Sequence, residues 1–216
     1  MKKTIANRTK LNPISRLLKN RWALSTVVTT LIILVISVLL ASVVTYFAIN
    51  VVSTRVQEES LHLTKQHIWH NPTASAGDPD YTVASLMVIN TGGRDIVIDK
   101  IAVRGQESPW NNPETGKFVV YLITDDPISS DLSFHAFNVA GGSENTMSFE
   151  GNPYAFAVAQ NDLVLQSGMT MILYIINPDS ITINDIGLTV SITLYTAQAM
   201  YYREANTQAY SPSGSA

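Results

Sequence analysis

Two patterns of apolar and polar positions divide the chain. From Trp22 to Thr54, 33 consecutive residues carry no charge, no glycine and no proline. Read as a helix, this run is about 50 Å long at 1.5 Å per residue. The hydrocarbon core of a bilayer is about 30 Å thick and is crossed by ~20 residues, so about a dozen are surplus to a simple span. Tilt absorbs part of that excess. A secretory signal has a shorter apolar core closed by a small-residue cleavage site, and no A-x-A pattern follows this run.

Beyond Asn50 the sequence continues as "VVSTRVQEESLHLTKQHIWHNP". Ile49, Val52, Val56, Ser60 and Leu63 step by three and four, a helical stripe. Asn71-Pro72 ends it, because the residue before proline disfavours the helical region. The pattern predicts one helix over 24–70, transmembrane in its first half and an amphipathic stalk in its second. Residues 71–80, with "TASAGDPD", form a turn-rich linker.

After the linker the period changes to two. Strands are predicted at 81–90, 96–104, 117–124, 132–139, 154–160, 163–166, 169–177 and 186–195. In the last, Ile186, Leu188, Val190, Ile192 and Leu194 alternate with polar or small residues. The apolar phase slips between Ile98 and Ile101, as a β-bulge at Asp99-Lys100 would make it do. "TGGRD" reads as the turn of a hairpin. The apolar runs 86–89 and 171–176 are expected to be central. The fold class is therefore α+β: a long N-terminal helix followed by an all-β antiparallel sandwich of immunoglobulin-like architecture over 81–202. Residues 203–216, small and polar, are expected to be a loose tail.

Charge orients this arrangement. Seven of the 14 Lys and Arg fall in residues 1–21, with no acid; the rest of the chain carries the other seven and all 17 Asp and Glu, a local net charge of −10. Basic flanks stay on the cytoplasmic side of an inserting helix, which places the N-terminus inside and the strands outside. An acidic outer domain argues against nucleic acid, whose phosphates need a cationic footprint. With no Cys the outer domain relies on its own core.

A short basic leader, the step "ALST", an unbroken aliphatic helix and a β-rich outer domain together resemble the archaeal type IV pilin and archaellin superfamily. The resemblance covers about 45 N-terminal residues. It implies a prepilin peptidase that cuts before the apolar stretch, leaving residues 1–23 as a class III signal peptide. Lys19 and Arg21 would be the basic leader, Ala23 the small residue before the scissile bond, and Leu24 the start of the mature chain. Leu31, Ile32, Leu34, Ile36, Leu39, Val43 and Phe47 would face lipid first and neighbouring helices of a filament core later. The implied partners are further copies of the chain, the peptidase, an assembly machine and membrane lipid. Trp22 stands where the family favours a basic residue, and this leaves an alternative. In it the chain is an uncleaved single-pass anchor whose sandwich binds envelope, surface-layer or membrane-complex partners.

Candidate chemistry is sparse. His62, His67 and His70 would border one face of the predicted helix and are weak candidates for a metal, since neutral imidazoles ligate transition ions; no H-E-x-x-H arrangement accompanies them. "DDPISSD" (125–131) and "GDPD" (77–80) bunch carboxylates in turns without an ordered calcium loop. His135 falls within the apolar strand predicted at 132–139. No G-x-S-x-G motif or catalytic dyad is visible, and the chain is expected to be neither an enzyme nor a cofactor binder.

Overall fold

Valine, isoleucine and threonine crowd the apolar run, and all three are mediocre helix formers in water. Where water is absent the backbone must satisfy itself, and a helix does so within one segment. The computed structural model describes residues 21–56, 58–79, 81–138 and 145–210, the side chains of 21–24 and 55–56 excepted. In it the run forms helix α1 (Arg21–Val56). The chain divides into two compact units, residues 1–54 and 55–216.

The helix stops fourteen residues short of His70. Residues 61–70 are strand β1 (Leu61–His70), so the stalk expected over the second half of 24–70 is not a helix. Leu61 and Leu63 point into the core, a bulge between Thr64 and His67 resets the phase, and Ile68 points in again. The stripe that read as helical crosses an element boundary: Ile49, Val52 and Val56 lie on the helix, and Ser60 and Leu63 lie beyond its end.

The remaining strands are β2 (Thr82–Asn90), β3 (Ile96–Val103), β4 (Gln106–Ser108), β5 (Asn111–Asn112), β6 (Lys117–Thr124), β7 (Thr146–Phe149), β8 (Asn152–Ala155), β9 (Ala157–Val158), β10 (Leu163–Leu165), β11 (Thr170–Ile176), β12 (Thr189–Thr196) and β13 (Met200–Ala209). Among the described residues eleven strands form one curled sheet in the order β10-β3-β12-β13-β1-β2-β11-β6-β5, with β4 on β3 and β9 on β6. Strands β7 and β8 make a separate hairpin. Strand β13 joins the two layers of the sandwich. Its Met200–Asn206 part lies antiparallel to β12, and Thr207–Ala209 runs parallel to Ile68–His70. The segment expected to be a loose tail is thus a strand to Ala209; residues 211–216 lie outside the described residues.

One core fills the sandwich, with Leu86, Ile101, Leu173 and Ile192 among its members. A second covers the opposite face of the β1-β2-β11-β6 layer, built from Trp69, Val83, Phe137, Phe149, Phe156 and Tyr174. Strands β2 and β11 are neighbours buried on both faces, which is why their sequences run apolar without alternation. The bulge in β3 is also where the sequence placed it: Tyr195 faces Lys100 and Thr196 faces Ile98, leaving Asp99 over.

Five further expectations are corrected. Residues 132–138 are irregular, not a strand, because they serve as the cover over Tyr174 rather than as part of a ladder. Residues 154–160 hold only the end of β8 and the two-residue β9. "TGGRD" joins β2 to β3, but these lie in different layers, so it is a crossover and not a hairpin. The 71–80 linker connects β1 to β2, antiparallel neighbours within the sandwich. Adding β1 and β13 moves the sandwich limits from 81–202 to roughly the whole of the second unit.

Candidate functional site

Every residue from Ser25 to Thr54 is exposed, and its large apolar side chains are between 46% and 65% accessible. They are spread around the whole helix, with no polar face. This 30-residue segment is long and apolar enough to cross a membrane. Its hydroxyls do not interrupt that character, because they bond backwards along the helix. Thr29 donates to the Ser25 carbonyl (2.8 Å), Ser37 to Ile33 (2.8 Å), Ser42 to Val38 (2.8 Å) and Thr45 to Ala41 (2.8 Å). Each donor is satisfied without water, as an apolar surrounding demands. Leu31, Ile32, Leu34, Ile36, Leu39, Val43 and Phe47 all belong to this exposed surface. Of the processing residues, Lys19 lies outside the described residues, and Arg21, Ala23 and Leu24 have helical backbone.

The three histidines do not converge. His62 is exposed. His67 Nε2 pairs with Asp131 Oδ1 at 2.9 Å, and its ring stacks on Trp69 at 5.1 Å. His70 is buried, with Nδ1 2.9 Å from Thr82 Oγ1 and Tyr81 packed edge-on at 4.7 Å. Burial pulls the His70 pKa down against the opposing pull of Asp185. A strand turns successive side chains to opposite faces, so helical spacing on paper became separation in space. Among the described residues no group of three or more His, Cys, Asp and Glu could hold a metal ion.

The acidic turn at 125–131 is held by protein partners. Lys65 sits in the β1 bulge at φ 53° and donates from Nζ to the carbonyls of Ile128 and Ser130, each at 2.6 Å. Asp126 accepts from the Tyr154 hydroxyl (2.9 Å), and Asp131 accepts from His67 and from the Leu132 amide. The hydrogen bond from His67 is the main cause that lowers the Asp131 pKa. Glu150 accepts the amides of Ser129 (2.8 Å) and Ser130 (3.2 Å) and the Ser129 hydroxyl. An ammonium thus occupies the place among the carbonyls that a cation would take. Sequence reading missed Lys65; nothing in its neighbours' spacing announces a bulge there.

Strand register sets Ser85 directly across from His67, which is bonded to Asp131. The order is that of a catalytic triad, yet Ser85 is fully buried and its hydroxyl makes no hydrogen bond. A nucleophile needs both its base and access to substrate. His135 lies in the irregular cover and packs against Phe137 at 4.6 Å.

No protein-family model matches the chain, and no curated protein matches it. Among solved structures, the chain is similar to the ligand binding region of serine-glutamate repeat protein A of Enterococcus faecium, at 12% identity and a TM-score of 0.28, over 72% of this chain and 100% of that one. So distant a likeness carries no argument about function.

Proposed function

We propose that this chain is a structural protein of the cell surface, a filament subunit of the archaeal type IV pilin and archaellin kind. One observation carries the reading: a helix apolar on every side and exposed along 30 residues precedes in the chain a sandwich that contributes both cores by itself. Such a helix needs an apolar partner. In lipid the acyl chains supply it; in a filament, other copies of the helix do. Burial in water is favourable at about 25 cal/mol per Å2, without specific bonds. From lipid the same transfer gains little, because the tails are as apolar as the helix, so extraction requires an assembly machine. The basic N-terminus stays inside and the acidic sandwich is displayed outside.

The second reading, an uncleaved anchor holding the sandwich at the envelope, is favoured by Trp22 standing before Ala23. Intact mass of protein extracted from membranes separates the two. A mature chain starting at Leu24, together with filaments that contain it in negative-stain micrographs, supports the pilin. A chain that keeps its seven basic leader residues and forms no fibres refutes it in favour of the anchor.

A further inference from the structure

The ends of the sandwich differ. At one end the chain comes in through Glu59 and Ser60, which bond to Thr196 and to Thr91 and Gly92. At the other end lie the loops that follow His70, precede Lys117 and follow Ile176, as the pairing of His70 with Thr82 and of Ile176 with both Val83 and Phe118 requires. These three loops enclose a cleft of about 360 Å3 whose lining includes Tyr81, Thr115, Lys117, Asp179 and Ile181.

The cleft is built. Asn177, at φ 52°, accepts the Thr82 amide (3.2 Å) and donates to the carbonyls of Asp78 (2.8 Å) and Gly116 (3.1 Å). One side chain thereby ties all three loops. Gly116, at φ 64°, lets its loop approach the Gly77 carbonyl closer than any side chain would permit. A wall fixed in this way has little ordering left to lose on binding.

Its chemistry is mixed. Lys117 and Asp179 form an ion pair that is 24% and 45% exposed, so ammonium donors and carboxylate acceptors stand side by side with no net charge between them. The exposed Thr115 hydroxyl, which donates to the Asn112 carbonyl (3.4 Å), adds an acceptor, while the half-buried Tyr81 ring supplies apolar surface. A ligand with adjacent hydroxyls and a C–H face satisfies this set; an ion does not, because the pair already neutralises itself. The volume lies near the lower end of the about 300–1,000 Å3 typical of small-ligand sites.

We propose that this cleft binds a neutral saccharide, a monosaccharide or disaccharide unit of a glycan. The site lies at the end of the sandwich away from Glu59 and Ser60 and uses residues 76–182 alone, so the proposal does not rest on the filament reading.

The test is saturation-transfer NMR on the full chain in a detergent without sugar headgroups, with glucose, galactose, mannose, N-acetylglucosamine, lactose and cellobiose as probes. At least one is expected to receive saturation from the wild type. Asp179→Asn and Tyr81→Ala should each weaken that sugar about tenfold or more, the loss expected when a hydrogen bond to a charged group or a packed ring is removed. Thr115→Val, at an exposed position, removes the hydroxyl together with its bond to the Asn112 carbonyl and should weaken binding, while the backbone bond from the Thr115 amide to Asn112 keeps the turn. Glu107→Ala, on β4, should leave binding unchanged. No transfer to any of the six sugars overturns the proposal. So does equal binding by wild type, Asp179→Asn and Thr115→Val, or, with sialic acid added as a seventh, charged probe, a preference for it over every neutral sugar.

Discussion

The hydroxyl of Tyr174 donates to the backbone carbonyl of Ser133 at 2.9 Å, fastening the irregular cover segment to the central strand β11. Tyr174 is fully buried among Phe137 and Phe156, and burial raises its pKa. Tyr174→Phe keeps the ring and orphans the carbonyl, at a cost of about 1–3 kcal/mol. Thermal melting should show this loss below pH 10. Because the folded pKa is raised, the hydroxyl's contribution is complete below the unfolded value near 10 and declines as pH rises beyond it. The gap between wild type and variant should therefore narrow at strongly alkaline pH; a constant gap would show that this hydroxyl does not stay protonated in the fold.

Acid should unfold the sandwich in two stages. His70 has a lowered pKa, so the unfolded chain takes up the proton first. Stability is full above pH 6.5 and falls as pH drops from there towards the folded value. Asp131 and Asp185 are also lowered, mainly by hydrogen bonds from His67 and from the Thr182 amide. Their contribution is present above the ordinary carboxylate value near 3.8 and is lost below it. In urea titrations across pH, His70→Gln should abolish the first stage and keep the second. A first stage that survives the substitution would assign it elsewhere.

Two glycines with positive φ should respond differently to alanine. At Gly116 a Cβ would overlap the Gly77 carbonyl, whereas at Gly105, φ 80°, it meets nothing within 4 Å. Gly105→Ala carries only the left-handed backbone cost, about 1–2 kcal/mol. Gly116→Ala adds overpacking against backbone, for a total of about 2–5 kcal/mol. Chemical denaturation of both variants checks the order, and equal losses would mean that the Gly77 loop simply moves aside.

Much of the β domain was legible because burial on two faces or one leaves a local trace. Strands β2 and β11 announced themselves as unbroken apolar runs, β12 as strict alternation, and the β3 bulge as a one-residue slip. Strand β13 left almost none: only Ala205 and Thr207 are buried, and its parallel pairing with β1 joins residues about 140 apart in sequence. Phe134 and Phe137 read as strand because apolar residues at close spacing do not reveal whether they pair or merely cover. The cleft beside Lys117 and Asp179 was invisible for the same reason. Its lining comes from three loops, and the one strong local signal, Asn177-Pro178, reads only as a stop.

The bulge makes a sharp test of that reading. Deleting Asp99 brings Ile96, Ile98, Ile101 and Val103 into strict alternation and lets Lys100 and Ile98 face Tyr195 and Thr196 without a gap. This variant should fold with a melt close to wild type. Deleting Val97 instead throws Ile96 or Ile98 out of the core and should cost several kcal/mol, on the order of one buried aliphatic residue exposed. Equal destabilisation by the two deletions would show that the bulge, not the phase, is what β12 requires.

Both apolar cores lie within residues 61–205, and neither includes a residue of α1. A fragment spanning 55–216 should therefore be soluble and melt cooperatively, at the temperature of the full chain in detergent. Leu39→Arg, at the middle of the apolar helix, should cost about 2.5–3.5 kcal/mol of membrane insertion. It should abolish recovery in the membrane fraction while leaving the melt of the sandwich unchanged. Differential scanning fluorimetry and membrane fractionation read the two effects separately. If the fragment aggregates, or if Leu39→Arg shifts the melt of the sandwich, the helix is part of the folding unit and the division into anchor and head is wrong.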